Sequence, residues 1–437
     1  MTGLPTHTAH AAHAAELGLP LAHGVGSRHD LPLSPFYAYA GAFAALLISF
    51  LALGLLWSTS RFRGDLSGRP LPAALQRLAD APVTRTALRL LGAAAGLVFL
   101  LHLLLGPDDP DRNPAPGALY VLLWVGLVPA SLLLGPVWRL VNPLRALHAL
   151  HPPRNPRPLP AAVGIRPAAV GLLLFTWLEL VAPDNTSSVT LLTALAVHCG
   201  VQLAGAARHG ERWFAHADPF EVYSSLLARL SPLGRRADGR LVLRSPFHGL
   251  DATPATPGLV ATVCVLLGST AYDGLSDNPR WITTLQTSSL GPTPTATLGL
   301  LTVVALAAAC YGLCAGALRL MNRSLTTPLT SFAHSLLPIA LGYLVAHYFS
   351  LFVTEGPRTV IMAGGTDNAS VPAPLLGPAG LATLQVAAIV TGHVLGVVAA
   401  HDRSVRLFPP DRAVAGQLPL FALMIAYTLG GIGLLIA

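Results

Sequence analysis

Lysine is missing from this chain: all 27 basic side chains are Arg. Charge of either sign is scarce, at 11% of residues against roughly 25% in soluble domains. With 53% hydrophobic residues and a mean hydropathy of +0.59, this argues against an ordinary soluble enzyme. Cysteine is limited to Cys199, Cys264, Cys310 and Cys314. All four lie in apolar stretches, which excludes a disulfide framework. Several soluble-enzyme signatures are also missing: a Walker A loop, a dinucleotide glycine fingerprint, HExxH and a Gly-x-Ser-x-Gly elbow. Residues 1–35 have no apolar core of the kind a cleavable signal peptide needs, so none is expected.

What is present is a series of long apolar runs. Ten are read as membrane spans: 36–57, 87–105, 117–138, 165–182, 187–206, 258–275, 297–318, 328–353, 379–400 and 415–437. Most reach the roughly 20 residues that a bilayer core requires. The Arg distribution supports the count independently. Of the 27 Arg, 23 lie in or beside alternate loops, 58–86, 139–166, 207–257, 319–327 and 401–414. Only Arg28, Arg112, Arg280 and Arg358 fall on the other side. Arg-rich short loops stay cytoplasmic, and one missed span would scramble every later alternation. The expected fold is therefore an all-α, polytopic integral membrane protein of about ten transmembrane helices, with both termini outside. The net charge of +7 fits Arg-rich loops facing anionic inner-leaflet lipid, not nucleic acid. The expected setting is the plasma (inner) membrane. The Lys-free, Ala/Leu/Gly/Pro-rich composition matches high-GC coding of the actinobacterial kind.

The chain divides into a polar tail (1–35), a five-span half (36–206), a long cytoplasmic loop (207–257) and a second five-span half (258–437). Five plus five is the arithmetic of inverted-repeat transporters. The tail carries His7, His10, His13, His23 and His29, which could capture a metal. In the long loop, Asp218-Pro219 reads as an N-cap followed by Pro at the first helical position. Phe220, Tyr223, Leu226, Leu227 and Leu230 then form one face, as expected of a helix lying on the inner membrane surface. Pro129, Pro136 and Pro338 should kink their helices.

Chemistry is expected where ionisable groups enter the apolar spans. Of 20 acidic residues only Glu179 and Asp273 do so, both near the outer face. A carboxylate in hydrocarbon costs several kcal/mol unless it is paired, protonated or hydrated. His102 and His347 fall in the same outer tier; His198 is near mid-depth, and His393 and His334 lie lower. Asp273, Glu179 and His347 are the candidate acid–base residues. His102, His347 and His393 are candidate ligands for a divalent metal or copper. A softer set, Cys310 and Cys314 on one face with Cys264, Cys199, His198 and His393 at adjoining depths, would suit Cu(I) or Zn. The structural alternatives are interfacial carboxylates, interhelical histidine hydrogen bonds and cysteine as a small apolar residue.

Several stretches are familiar together. They include Ala22-His23-Gly24-Val25-Gly26 before Asp30-Leu31-Pro32, Tyr120-Val121-Leu122-Leu123-Trp124-Val125-Gly126, Trp177-Leu178-Glu179-Leu180 and Ala217-Asp218-Pro219-Phe220-Glu221-Val222-Tyr223. Ala346-His347-Tyr348-Phe349, Thr391-Gly392-His393-Val394-Leu395-Gly396 and the run from His401 to Pro409 belong with them. Over nearly its whole length the chain resembles actinobacterial multi-pass membrane proteins commonly labelled fenitrothion hydrolase. The resemblance implies hydrolysis of an organophosphorus triester, a small-molecule substrate, at its P–O–aryl bond, with an outward-facing site. It brings no catalytic motif to carry over. Relatives often have an apolar segment ending just before the His of Ala-His-Gly, whose cleavage would leave that His as a copper-chelating N-terminus. The residues before His23 here are not apolar. Three functions stand at this point: a membrane hydrolase, a transporter of a metal ion or small solute, and a structural or assembly role.

Overall fold

An apolar run in hydrocarbon has no water to bond its peptide groups, so it closes them internally as helix. A computed structural model of the protein describes residues 35–323, 325–365 and 373–436. Among them, nine helices are long and apolar enough to cross a membrane. These are α1 Pro35–Leu56, α2 Pro82–Leu105, α3 Ala115–Leu134, α5 Ser188–His209, α7 Leu259–Ser276, α8 Pro292–Met321, α9 Leu337–Ala363, α10 Pro378–Leu407 and α11 Leu418–Ile436. Two shorter helices complete the numbering, α4 Arg166–Leu180 and α6 Pro219–Leu227. The protein is an all-α, multi-pass membrane protein. The His-bearing tail lies outside the described residues.

α4 is the tenth expected span, at 15 residues. That is about 22 Å of helix, short of the roughly 30 Å hydrocarbon core. Its two ends nonetheless meet opposite sides of the bundle. The Ile165 N–H at its start donates to Pro257 O (2.8 Å), and Trp177 Nε1 near its end donates to Thr297 Oγ1 (2.9 Å) on α8. Eight of its residues are buried. A helix walled in by other helices need not match the lipid thickness.

Bonds between loops follow the alternation read from Arg. At one end, the Ser188 N–H donates to Asp108 (2.6 Å) and Arg358 pairs with Asp111 (3.0 Å). At the other, Arg235 pairs with Asp80 (2.7 Å), Arg244 with Asp65 (2.9 Å) and Arg403 with Asp251 (2.9 Å). There too a small antiparallel sheet, Arg69–Pro70 (β1), Leu233–Arg235 (β2) and Leu241–Leu243 (β3), runs in the order β1-β3-β2. Its β2–β3 turn is tightened by Arg236, whose guanidinium holds the Asp238 carboxyl down at about 2. Asp402 near the end of α10 accepts from Trp57 Nε1 (3.2 Å), Ser60 Oγ (2.8 Å) and the Arg61 N–H (2.5 Å), tying α10 to the chain after α1. Orientation is testable by labelling. In a Cys-less background, Pro110→Cys and Arg280→Cys should react with an impermeant maleimide on intact cells, and Asn155→Cys and Arg240→Cys should not. External labelling at 240 would invert the topology.

α1 packs against α10 and α11, with Phe50 stacked on Phe421 at 4.2 Å. The chain before and after the 207–257 segment therefore interlocks. α9 and α10 pack closely: a Cβ on Gly392 would stand 2.5 Å from Pro338 O, and one on Gly342 would stand 2.6 Å from Ala388 O. Small residues let membrane helices approach in this way.

Three local expectations are corrected. α6 does not lie on the membrane surface: eight of its nine residues are buried inside the bundle. Its N-cap is as expected, with Asp218 Oδ1 accepting from the Phe220 and Glu221 N–H groups (2.9 and 3.0 Å). What the sequence pattern hid is that its polar positions also have partners, so its wet face is not facing water. Pro338 starts α9 instead of kinking it, and the proline inside that helix is Pro357. Pro136 follows the end of α3. Ahead of Pro129 the backbone widens into a π-helix, Ala118–Val125, with the Gly126 N–H bonded to Val121 O (2.9 Å). Pro129 has no N–H to offer the Val125 carbonyl, and π-turns recur at functional sites.

Candidate functional site

The most enclosed of the long helices are α7 and α9, and α4 packs along α7. Each delivers one of the candidate residues. Glu179, Asp273 and His347 are 2%, 3% and 3% exposed. His347 Nδ1 stands 3.7 Å from Asp273 Oδ2, an ion-pair separation when the imidazole is protonated. Glu179 is close enough to Asp273 for the two carboxyls to interact electrostatically. Sequence depth alone placed these three groups at one height, and the packing of α4, α7 and α9 gathers them in one region.

Gly274 lets the imidazole in. A Cβ there would stand 3.2 Å from His347 Cε1. Ser276 Oγ donates to the Asp273 carbonyl (2.7 Å), satisfying one of the orphan acceptors at the end of α7. At the end of α4, Asn185 Nδ2 donates to Glu179 O (2.6 Å) and Tyr120 Oη to Asn185 O (2.8 Å). These bonds fix the main chain around both acids. The Glu179 carboxyl itself has no hydrogen-bond partner on either oxygen. A buried carboxylate in that state is expensive, so its charge must be met by a proton or a cation.

The wall around Glu179 is aromatic. Phe175 stands one turn before it on α4 and meets the Tyr120 ring at 6.1 Å, and Tyr348 adjoins His347 on α9. Trp124 packs on Phe175 (5.1 Å) and stacks on Tyr223 (4.5 Å, 24°). These residues were not singled out from the sequence as site residues. The signals were present: Tyr120 and Trp124 are four apart on one helical face, and Tyr348 adjoins His347. Tyr223 is not conspicuous in the sequence because the apolar face of α6 equally suits a helix on the membrane surface, whereas the helix is buried.

The expected metal ligands do not assemble. His102 is on α2, and the polar contacts there are made by its carbonyl, which accepts from the Gly106 N–H (3.0 Å) and Asn113 Nδ2 (3.1 Å). His393, on α10, is fully buried and donates from Nδ1 to Ile389 O (2.9 Å), with its ring edge-on to Tyr343. Only His347 joins the acids. In the softer tier, Cys314 Sγ donates to Pro419 O (3.3 Å). Among the described residues, no three His, Cys, Asp or Glu side chains form a group able to hold a metal ion. Depth along a helix gives height but not the direction around the helix axis, and metal coordination needs both.

Compared with protein-family models, curated proteins and solved structures, the chain matches none.

Proposed function

We propose that this protein is a secondary transporter of the plasma membrane, in which Glu179, Asp273 and His347 take up and release the coupling proton for movement of a small solute. The carrying observation is the Glu179 carboxyl, buried with both oxygens unpartnered beside a second carboxyl that is paired with an imidazole. Ionisable groups on interior membrane helices are costly, and they mark proton relays and ion paths. Two carboxyls and an imidazole in one dry region can exchange a proton with little rearrangement. The five-plus-five arrangement expected from the sequence fits this reading, as does His393, a further buried imidazole deeper in the bundle.

The second reading is the membrane hydrolase implied by the resemblance, acting on an organophosphorus triester. It draws on the same residues: Asp273 beside His347 would orient an imidazole as general base. The two readings part in a simple experiment. Reconstituted into liposomes on a solid-supported membrane, the wild type should show a transient charge displacement on a pH jump. Glu179→Gln, which removes the titrating group with little change of shape, should abolish it. Release of an aryl alcohol from a phosphotriester in detergent, with no charge displacement in liposomes, would sink the transporter reading in favour of the hydrolase.

A further inference from the structure

α6 enters the bundle from the loop that the Arg count places in the cytoplasm, and it is held there by polar anchors. Asp218 caps its start and accepts from Asn142 Nδ2 (2.8 Å). Glu221 receives a two-point contact from Arg145, at 2.7 and 2.8 Å. Ser224 Oγ and Ser131 Oγ are 2.8 Å apart. The side chain that these anchors deliver toward the acid site is Tyr223. It is fully buried, its ring lies on Trp124, and its hydroxyl has no hydrogen-bond partner.

Three unpartnered buried polar atoms thus lie along one aromatic stack: Tyr223 lies on Trp124, Trp124 packs on Phe175, and Phe175 is one helical turn before Glu179 on α4, leaving Tyr223 Oη, Glu179 Oε1 and Glu179 Oε2 without partners. Leaving one buried polar group unmet costs about 1–3 kcal/mol. A shared small polar ligand with two to four partners relieves such groups at once. The packing is too tight for an organic solute to be the economical answer: Trp124 and Tyr223 are both under 2% exposed and stacked. We propose that the Glu179 carboxyl and the Tyr223 hydroxyl hold a water molecule between them, and that this water carries the coupling proton toward the cytoplasmic side. Tyr223 is a positioning residue: it donates to the water, orients it and keeps its own proton. On uptake the bridging water receives a proton from bulk water as it passes one of its own to the Glu179 carboxylate oxygen, so one O–H bond forms on the water for the one it gives up, and release reverses both transfers. The inference rests on the transporter reading.

pH-difference infrared spectroscopy of the purified full-length protein tests it. A carboxylic C=O band present in the wild type and absent in Glu179→Gln identifies Glu179. Tyr223→Phe should shift that band to higher frequency, because the hydrogen bonding around the carboxyl weakens. Independently of any variant, exchange into H2¹⁸O should shift a water O–H band that appears with the Glu179 band and vanishes in Glu179→Gln. A Glu179 band indifferent to Tyr223→Phe, with no ¹⁸O-sensitive water band, overturns the water bridge and leaves the transporter reading intact. No Glu179 band at all overturns both. A spectrum that follows added Na⁺ at fixed pH makes the ligand a metal cation and overturns the water bridge.

Discussion

Arg145→Ala should leave little folded protein. Arg145 and Glu221 are 3% and 2% exposed and joined at two points. Removing one partner of a buried ion pair costs about 3–5 kcal/mol, chiefly because the other charge is left without compensation. That is a large part of the 5–15 kcal/mol stability typical of folded proteins. The measurement is the thermal unfolding midpoint in detergent, with the monodisperse fraction on size exclusion. Adding Glu221→Gln to the same chain should recover much of the loss. The pH dependence has a definite sign. Burial pushes the Glu221 carboxyl up, against the pull of Arg145, and without Arg145 it rises further. A carboxyl raised in the folded state stabilises the fold below its unfolded value and loses that contribution as pH rises through the folded value. The deficit of Arg145→Ala should therefore shrink on acidification. A deficit that is the same at neutral and acidic pH would show that lost packing, not the stranded charge, is responsible.

Asp273→Asn and His347→Ala should each abolish the pH-driven charge displacement while leaving a folded protein, because each removes a group beside Glu179 without opening the bundle. His393→Ala separates the readings more sharply. A carrier must pass its solute beyond the outer tier, so this deeper substitution should also stop flux. A hydrolase working from the outer face needs only His347. In that case phosphotriester turnover in detergent would survive His393→Ala, which would lose only the packing of a buried ring and its bond to Ile389 O, and would vanish in His347→Ala. That pattern would overturn the transporter reading with the same three site residues in place.

Much of the architecture is legible without coordinates, because the bilayer imposes it. Apolar length separates helix from loop, and the cost of translocating Arg orders the loops. The apolar stretch around Glu179, expected as a span, forms the 15-residue helix α4, which is not among the nine described helices long enough to cross. The two intramembrane acids were legible for the same reason: against hydrocarbon, an isolated Glu or Asp is conspicuous. What chain order does not carry is the rotation of each helix about its axis. Equal depth was a fair guide to Glu179, Asp273 and His347 and a poor one to His102, which shares their height on α2 and takes no part. The same limit hid α6. Its apolar stripe is compatible with lipid or with protein, and only the partners of Asp218, Glu221 and Ser224, 76 and 93 residues away in the chain for the last two, decided for protein. Composition and charge order thus determined that the chain crosses a membrane and where its acids lie. Tertiary packing alone decided which groups meet those acids, because side-chain convergence depends on contacts between helices far apart in sequence.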